Sequence, residues 1–124
     1  MSGRSAIILF AHGARDPQWA QPFQRIQALV SGALPGTLVE LAFLERMTPD
    51  LAEAVARVVR AGAARVTVVP LFLGAGGHVK EDLAALVHDL QQQNPALALQ
   101  VTSPIGEDDE LVSAIAQWVV RKHS

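Results

Sequence analysis

Short apolar runs alternate along the chain with longer segments in which apolar residues recur every three or four positions. The short runs predict buried strands, and the longer segments predict amphipathic helices. The predicted strands cover residues 6–11, 38–44, 66–71 and 97–102. Four strands alternating with helices predict four βα units, and therefore an α/β fold with a four-stranded parallel sheet flanked by helices.

Each predicted strand is followed by a helix with one apolar face. Asp16 and Pro17 are suited to the N-cap and first position of the first helix, and Thr48-Pro49 is expected to open the second, which stops at Gly62. The first stripe is expected to face the sheet, and the last helix to complete the domain. The stripes are Trp19, Phe23, Ile26 and Val30; Leu51, Val55, Val58 and Val59; Leu83, Leu86, Val87 and Leu90; and Leu111, Ile115, Trp118 and Val119.

The composition excludes several classes of function but does not identify a single one. The chain has 124 residues, 50% of them hydrophobic, and a formal net charge of −2, which predicts a single domain over residues 1–124 and no nucleic-acid partner. It contains no cysteine, so any metal site must use histidine and carboxylate. No apolar stretch approaches the roughly 20 residues that span a bilayer, so we expect a cytoplasmic protein without a membrane partner.

Three side chains of the metal-binding type follow three different predicted strands. His12, Glu45 and His78 should therefore gather at the carboxyl edge of the sheet, where ligands bind in open α/β folds. Imidazole is a common ligand of divalent metals, and both histidines stand in glycine-containing sequence that permits close approach. Taken singly, each histidine is about as well explained as a backbone cap or a first-turn residue. Together they predict a metal site.

The other polar groups at this edge leave alternatives open. Glu45 could complete the metal shell or accept a proton, but a solvated or ion-paired role is equally consistent with its position. Gly74, Gly76 and Gly77 lack the Gly-Lys-Ser/Thr ending of a phosphate loop. Arg15, Arg46 and Lys80 lie near the same loops, which suits a polycarboxylate ligand.

Two segments carry a family resemblance. Residues 8–17 (ILFAHGARDP) and 69–78 (VPLFLGAGGH), together with Phe43-Leu44-Glu45 before Thr48-Pro49, resemble the class II tetrapyrrole chelatases of the CbiX and SirB type. The resemblance covers essentially the whole chain. It departs from the family at Ala14, where a serine is usual, and in the loop before His78, which lacks an additional histidine seen in some archaeal relatives.

The resemblance implies a chelatase-like three-layer sandwich that works as a homodimer. It implies a lyase-class sirohydrochlorin cobaltochelatase of cobalamin biosynthesis, with the tetrapyrrole sirohydrochlorin and a divalent metal as substrates and no organic cofactor. Co2+ is the favoured metal, and relatives on the same scaffold insert Fe2+ or Ni2+. The alternatives are a siroheme-forming ferrochelatase, a nickel chelatase, a noncatalytic carrier of metal or tetrapyrrole, and a flavodoxin-like ligand domain with incidental histidines.

The resemblance also implies roles for individual residues. His12 is matched to a proton acceptor and metal ligand, and His78 to a second metal ligand. Glu45 is matched to a catalytic acid near the metal. The residues that fall where the family contacts the macrocycle are Thr48, Leu73, Gly74, Ala75, Gly76 and Gly77.

Overall fold

The computed structural model describes residues 3–123 and contains a four-stranded, all-parallel sheet with the strand order β2-β1-β3-β4. The four predicted strands and the α/β class are confirmed. Two strands begin earlier than expected because their first residues, Arg4 and Ser5 against Ala63 and Arg65, pair without forming an apolar run. The strands are β1 (Arg4–Ala11), β2 (Leu38–Phe43), β3 (Ala63–Pro70) and β4 (Ala98–Val101).

The helices are α1 (Gln21–Ala33), α2 (Leu51–Arg60), α3 (Gly77–Gln93) and α4 (Asp109–Lys122). The predicted first helix is divided in two. Asp16 accepts a hydrogen bond from the backbone N–H of Gln18, but only a 3₁₀ turn, Pro17–Ala20, begins there. The α-helix starts afterwards because Pro22, which has no N–H to donate, fits only in a helix's first turn.

The start of α2 was also predicted too early. Its N-cap is Asp50 and not the Thr48-Pro49 pair, whose peptide bond is cis. Asp50 accepts a hydrogen bond from the backbone N–H of Glu53 at 2.8 Å, and the Glu53 carboxylate accepts one from the backbone N–H of Asp50 at 3.1 Å. This reciprocal capping box sets the boundary. The helix ends before Gly62, as predicted, where φ is +96° and glycine is favoured.

The two inner strands differ in how they are covered. Both pack against α2 and α3 on one face, but only β1 also packs against α1 and the turn before it on the other face. Burial on both sides explains the nearly continuous apolar sequence of β1, whereas the second face of β3 has an exposed Arg65 and half-buried Thr67 and Val69. The residues of the first face include Ile8, Phe10, Val66, Val68, Leu51, Val55, Val58, Leu83 and Leu90; those of the second include Leu9, Ala11, Leu41, Phe43, Ala20 and Phe23.

The last helix departs from expectation. Its stripe was predicted to complete the domain, but every residue of α4 is exposed except Leu111, which is half-buried. Ile115 is 39% exposed and Trp118 is 54% exposed. The tertiary contacts of α4 are mainly with a short 3₁₀ turn, Ile105–Glu107, that precedes it. The apolar face of α4 is therefore left uncovered by the residues that the structure describes, 3–123.

The strand order reverses between β1 and β3. From β1 the chain moves outward to β2, and it then crosses back over β1 to place β3 on the opposite side. A reversal of this kind leaves a crevice beyond the carboxyl ends of the two strands, where ligands bind. His12 follows β1, and His78 follows β3 in the first turn of α3. Within residues 3–123, no helix is both long and apolar enough to cross a membrane.

Candidate metal centre

His12 and Glu45 contact each other at the carboxyl edge of the sheet. The imidazole Nδ1 of His12 lies 3.1 Å from Oε1 of Glu45, and the two side chains are 43% and 41% exposed. The register of β1 and β2 explains the contact. Ala11 is paired with Phe43, and the backbone N–H of Leu44 donates to the carbonyl of Ala11 at 2.8 Å, so both chains leave the sheet side by side. The contact still leaves both side chains accessible to a ligand.

Gly13 permits this close approach. A Cβ atom at position 13 would lie 1.8 Å from the carbonyl oxygen of Glu45 and 3.2 Å from the side chain of Met47. Real atoms do not approach a carbonyl oxygen that closely, so any other residue would push the two loops apart. The glycine after His12 is therefore required by the contact between the loops.

Two aromatic side chains hold His12 in place. Its ring lies 4.7 Å from the ring of Phe72, centroid to centroid, and Phe72 is itself buried edge-to-face against Phe10 at 5.9 Å. The indole N–H of Trp19 donates to the carbonyl oxygen of His12 at 2.6 Å. Both the ring and the backbone of His12 are thus oriented before any ligand arrives.

Sequence reasoning missed the roles of Phe72 and Trp19. Phe72 looked like an apolar loop residue, and Trp19 like part of a helical stripe that faces the sheet. The available signal was their position, since each is an aromatic residue within the loop that leaves one of the two strands beside the crevice. Their contacts with His12 are tertiary, so spacing along the chain could not reveal them.

The contact with Glu45 determines which atoms of His12 can act. A carboxylate beside Nδ1 favours the tautomer in which Nδ1–H donates, which leaves the lone pair of Nε2 for a metal or a proton. The 3.1 Å between His12 Nδ1 and Glu45 Oε1 is also the separation expected of two ligands on one metal ion. Two atoms about 2.1 Å from a metal, at an angle of about 90–110°, lie about 3.0–3.4 Å apart. The geometry fits an orienting Glu45 and a ligating Glu45 equally well.

His78 stands apart from this pair. It is the second residue of α3 and is exposed, while the N-cap of that helix is Gly76. In the part of the chain that the structure describes, no three histidine, aspartate or glutamate side chains lie close enough to hold one metal ion. The structure therefore brings His12 and Glu45 together without His78, and the pairing of the two histidines remains a prediction.

The loop before α3 presents an open surface. Leu73 is 65% exposed, and a Cβ atom added at Gly74, Gly76 or Gly77 would meet nothing within 4 Å. Ala75 differs, because it is half-buried and packs against the core. These glycines leave room above the crevice that a bulky ligand can occupy.

Two of the three predicted cationic groups line one cavity. Arg15, Arg46 and Thr48 contribute to an open cavity of about 510 Å³ whose other lining residues are Ala14, Pro17 and Met47. The backbone of Arg46 has φ of +67°, a left-handed conformation that is unfavourable for a residue with a side chain. Lys80 instead pairs with Glu107. The cavity adjoins the His12–Glu45 contact through the loops that both share.

Comparisons with known proteins agree with this architecture. The model of the CbiX family matches residues 6–122. The CbiX protein of Marinobacter aquaeolei VT8, assigned to cobalamin (vitamin B12) biosynthesis, superposes with a TM-score of 0.81 at 30% identity, over 95% of this chain and 93% of that one. The sirohydrochlorin cobaltochelatase of Saccharolobus islandicus is 27% identical over 119 residues, which is 91% of each protein.

A longer relative has been solved with metal. The sirohydrochlorin chelatase SirB of Bacillus subtilis subspecies spizizenii, in complex with cobalt, superposes with a TM-score of 0.81 at 25% identity. The superposition covers 96% of this chain but only 51% of SirB. The chain is therefore similar to about half of that protein.

The close approach at Gly13 generates a prediction. Gly13→Ala should separate the two loops, lower the free energy of unfolding by about 1–3 kcal/mol and shift the His12 ring resonances in the NMR spectrum. Gly74→Ala is the matched control, because its Cβ would enter open space. Unchanged stability and His12 resonances in the Gly13 variant would contradict the steric role of this glycine.

Proposed function

The chain belongs to the CbiX family, and from that membership and the His12–Glu45 contact we propose that it is a sirohydrochlorin cobaltochelatase. In this proposal it inserts Co2+ into sirohydrochlorin for cobalamin biosynthesis, as a lyase-class enzyme of the cytoplasm without an organic cofactor. The observation that carries the proposal is an oriented histidine–carboxylate pair at the crevice where the strand order reverses. Fe2+ or Ni2+ insertion by the same site is the alternative.

Metal capture is assigned to His12, Glu45 and His78. His12 and Glu45 supply a nitrogen and an oxygen that are already adjacent, and His78 completes the set when the metal or the tetrapyrrole is bound. Three protein ligands leave coordination positions open, as in other catalytic metal sites. The ring nitrogens of the macrocycle can occupy those positions before the protein ligands dissociate from the metal.

Proton balance assigns a second role to the same pair. Sirohydrochlorin must lose two pyrrole N–H protons as one divalent ion enters the ring. When the metal moves into the macrocycle, the nitrogen of His12 and the carboxylate of Glu45 that held it become free to accept protons. His12 therefore ligates first and accepts a proton afterwards, so one nitrogen need not do both at once.

Substrate recognition is assigned to the cationic cavity and the glycine loop. Sirohydrochlorin is a polycarboxylate, and the guanidinium groups of Arg15 and Arg46 suit carboxylates in geometry and charge. Thr48 lines the same cavity. The macrocycle would lie over the open surface of Leu73, Gly74, Ala75, Gly76 and Gly77.

A homodimer belongs to the same proposal. The chain is similar to about half of SirB. A second copy of the chain would take the place of the other half of the longer protein. Homo-oligomers of this size are most often two-fold symmetric dimers. The single-domain organisation of residues 1–124 is proposed together with the dimer.

Anaerobic turnover tests the proposed function. A catalytic amount of the protein should metallate many equivalents of sirohydrochlorin with Co2+, followed spectrophotometrically and compared with Fe2+ and Ni2+. His12→Ala should abolish turnover with the fold retained, while His78→Ala should require higher Co2+ at fixed sirohydrochlorin. His123→Ala, an exposed residue after α4, is the matched control and should behave as wild type.

The outcomes separate the alternatives. Faster turnover with Fe2+ or Ni2+ than with Co2+ would show that the protein is a ferrochelatase or a nickel chelatase instead of a cobaltochelatase. One metallation per protein molecule would instead indicate a carrier. Wild-type turnover by His12→Ala would overturn the role assigned to this histidine.

The cationic cavity generates a separate prediction. Replacing both Arg15 and Arg46 with alanine should raise the KM for sirohydrochlorin by about tenfold or more and leave kcat within a few-fold, because each lost charged hydrogen bond is worth about 1.5–3 kcal/mol before solvent screening. Arg25→Ala, on an exposed position of α1, serves as the control. An unchanged KM in the double variant would show that carboxylates are bound elsewhere.

A further inference from the structure

The two histidines of the candidate site differ in how firmly they are held. The ring of His12 contacts both Glu45 and Phe72, and its backbone carbonyl accepts a hydrogen bond from Trp19. His78, by contrast, is exposed and follows a loop that contains three glycines. Because glycine allows the widest range of backbone conformations, the chain that leads to His78 is less constrained than the chain that leads to His12. A site that uses both histidines needs a contact that fixes the second one.

The helix that carries His78 begins without a capping side chain. Its N-cap is Gly76, which has no side chain to accept from the backbone N–H groups of the first turn. A helix start that lacks such an acceptor frays more easily. The backbone N–H of Lys80 donates to the carbonyl of Gly76 at 3.2 Å, and Val79 packs against the core. The position of the first turn therefore depends on contacts that its side chains make.

A lysine in the same turn as His78 is held from outside the helix. The ammonium group of Lys80 pairs with the carboxylate of Glu107, and the two side chains are 48% and 45% exposed. Each residue of an α-helix is rotated by about 100° from the one before it, so Lys80 and His78 project about 200° apart. The ion pair therefore holds the first turn of α3 on the side away from His78, and it does not occupy the imidazole.

The turn that carries Glu107 is itself firmly packed. It is the 3₁₀ turn Ile105–Glu107. Within it, the backbone N–H of Gly106 donates to the carbonyl of Phe72 at 3.0 Å, and a Cβ atom at Gly106 would lie 1.6 Å from the carbonyl oxygen of the residue after Phe72. Phe72 is also the residue whose ring contacts His12. One turn thus connects the support of His12 with the first turn of α3.

We propose that Lys80 and Glu107 are positioning residues that fix His78 relative to His12, so that both imidazoles bind the same Co2+ ion. This inference rests on the proposed function, in which His78 is a metal ligand. Neither residue of the pair contacts the metal, and both act through the backbone of the first turn of α3. Exposed ion pairs contribute little to stability, so we expect the pair to affect metal binding much more than folding.

Turnover kinetics test the pair through single variants. Lys80→Gln and Glu107→Gln should each raise the KM for Co2+ by about threefold to tenfold, which is less than the roughly ten- to hundredfold typical of a residue in contact with a metal ligand. The KM for sirohydrochlorin should not change. The melting temperature should fall by no more than about 4 °C, because the pair is exposed. Asp109→Asn, which removes a charge from the first turn of α4, is the matched control.

Conservative and reversed pairs separate positioning from a general loss of packing. Lys80→Arg keeps the positive charge and should retain the wild-type KM for Co2+. Lys80→Glu and Glu107→Lys, each made alone, should raise that KM the most, because each places two like charges together. The double variant restores an ion pair with the charges exchanged, and it should recover most of the wild-type KM.

NMR spectra recorded with Co2+ test the positioning without turnover. Co2+ is paramagnetic, so it shifts the ring resonances of the histidines that bind it. In the wild type, Co2+ should shift the ring resonances of both His12 and His78. In Glu107→Gln, the shift of His12 should be retained, whereas the shift of His78 should be smaller at the same Co2+ concentration.

Three results would overturn the proposal. The first is a Glu107→Gln variant with the wild-type KM for Co2+ and the wild-type shift of His78. The second is a raised KM for sirohydrochlorin in Lys80→Gln alone, which would show that Lys80 binds a substrate carboxylate. The third is a wild type in which Co2+ shifts His12 but not His78. The predicted NMR shifts without any turnover would instead contradict the proposed chelatase activity and support the positioning pair.

Discussion

The candidate site depends on the parallel register of β1 against β2. With Ala11 opposite Phe43, the two chains leave the sheet at the same level, and His12 and Glu45 meet one and two residues later. A slip of one residue would turn every side chain of one strand to the other face and separate the pair. Strand β1 packs closely on both of its faces, so such a slip would disrupt the core, and the core of the sheet is also what preserves the site.

The positions that sequence could predict are those where local pattern and tertiary environment agree. The apolar run of residues 66–71 lies almost entirely in strand β3, as predicted, and the predicted carboxyl edge did bring His12 beside Glu45. The predicted helix boundaries were wrong where two local signals competed. Asp16 does cap a turn, but Pro22 fits only in the first turn of a helix, so α1 starts later than Asp16 indicates. Phe72 could not be predicted as a support for His12, because its contact crosses between two strands.

The site and the exposed helix are linked through one packed segment. Residues 102–108 continue from β4 along the carboxyl edge, where Gly106 lies against Leu73 and Glu107 pairs with Lys80. The same segment leads directly into α4. The glycine loop before His78 and the start of α4 therefore share their support.

The central claim is that Glu45 acts with His12 on the metal and does not merely orient its ring. Calorimetric titration of Co2+ into the wild type and Glu45→Gln tests this directly, since glutamine can still accept from Nδ1–H but is a poor ligand and base. Glu110→Gln, at the exposed start of α4, controls for the lost charge. The account predicts at least about a tenfold weaker Co2+ affinity for Glu45→Gln and no change for Glu110→Gln. Wild-type Co2+ affinity in Glu45→Gln would contradict it.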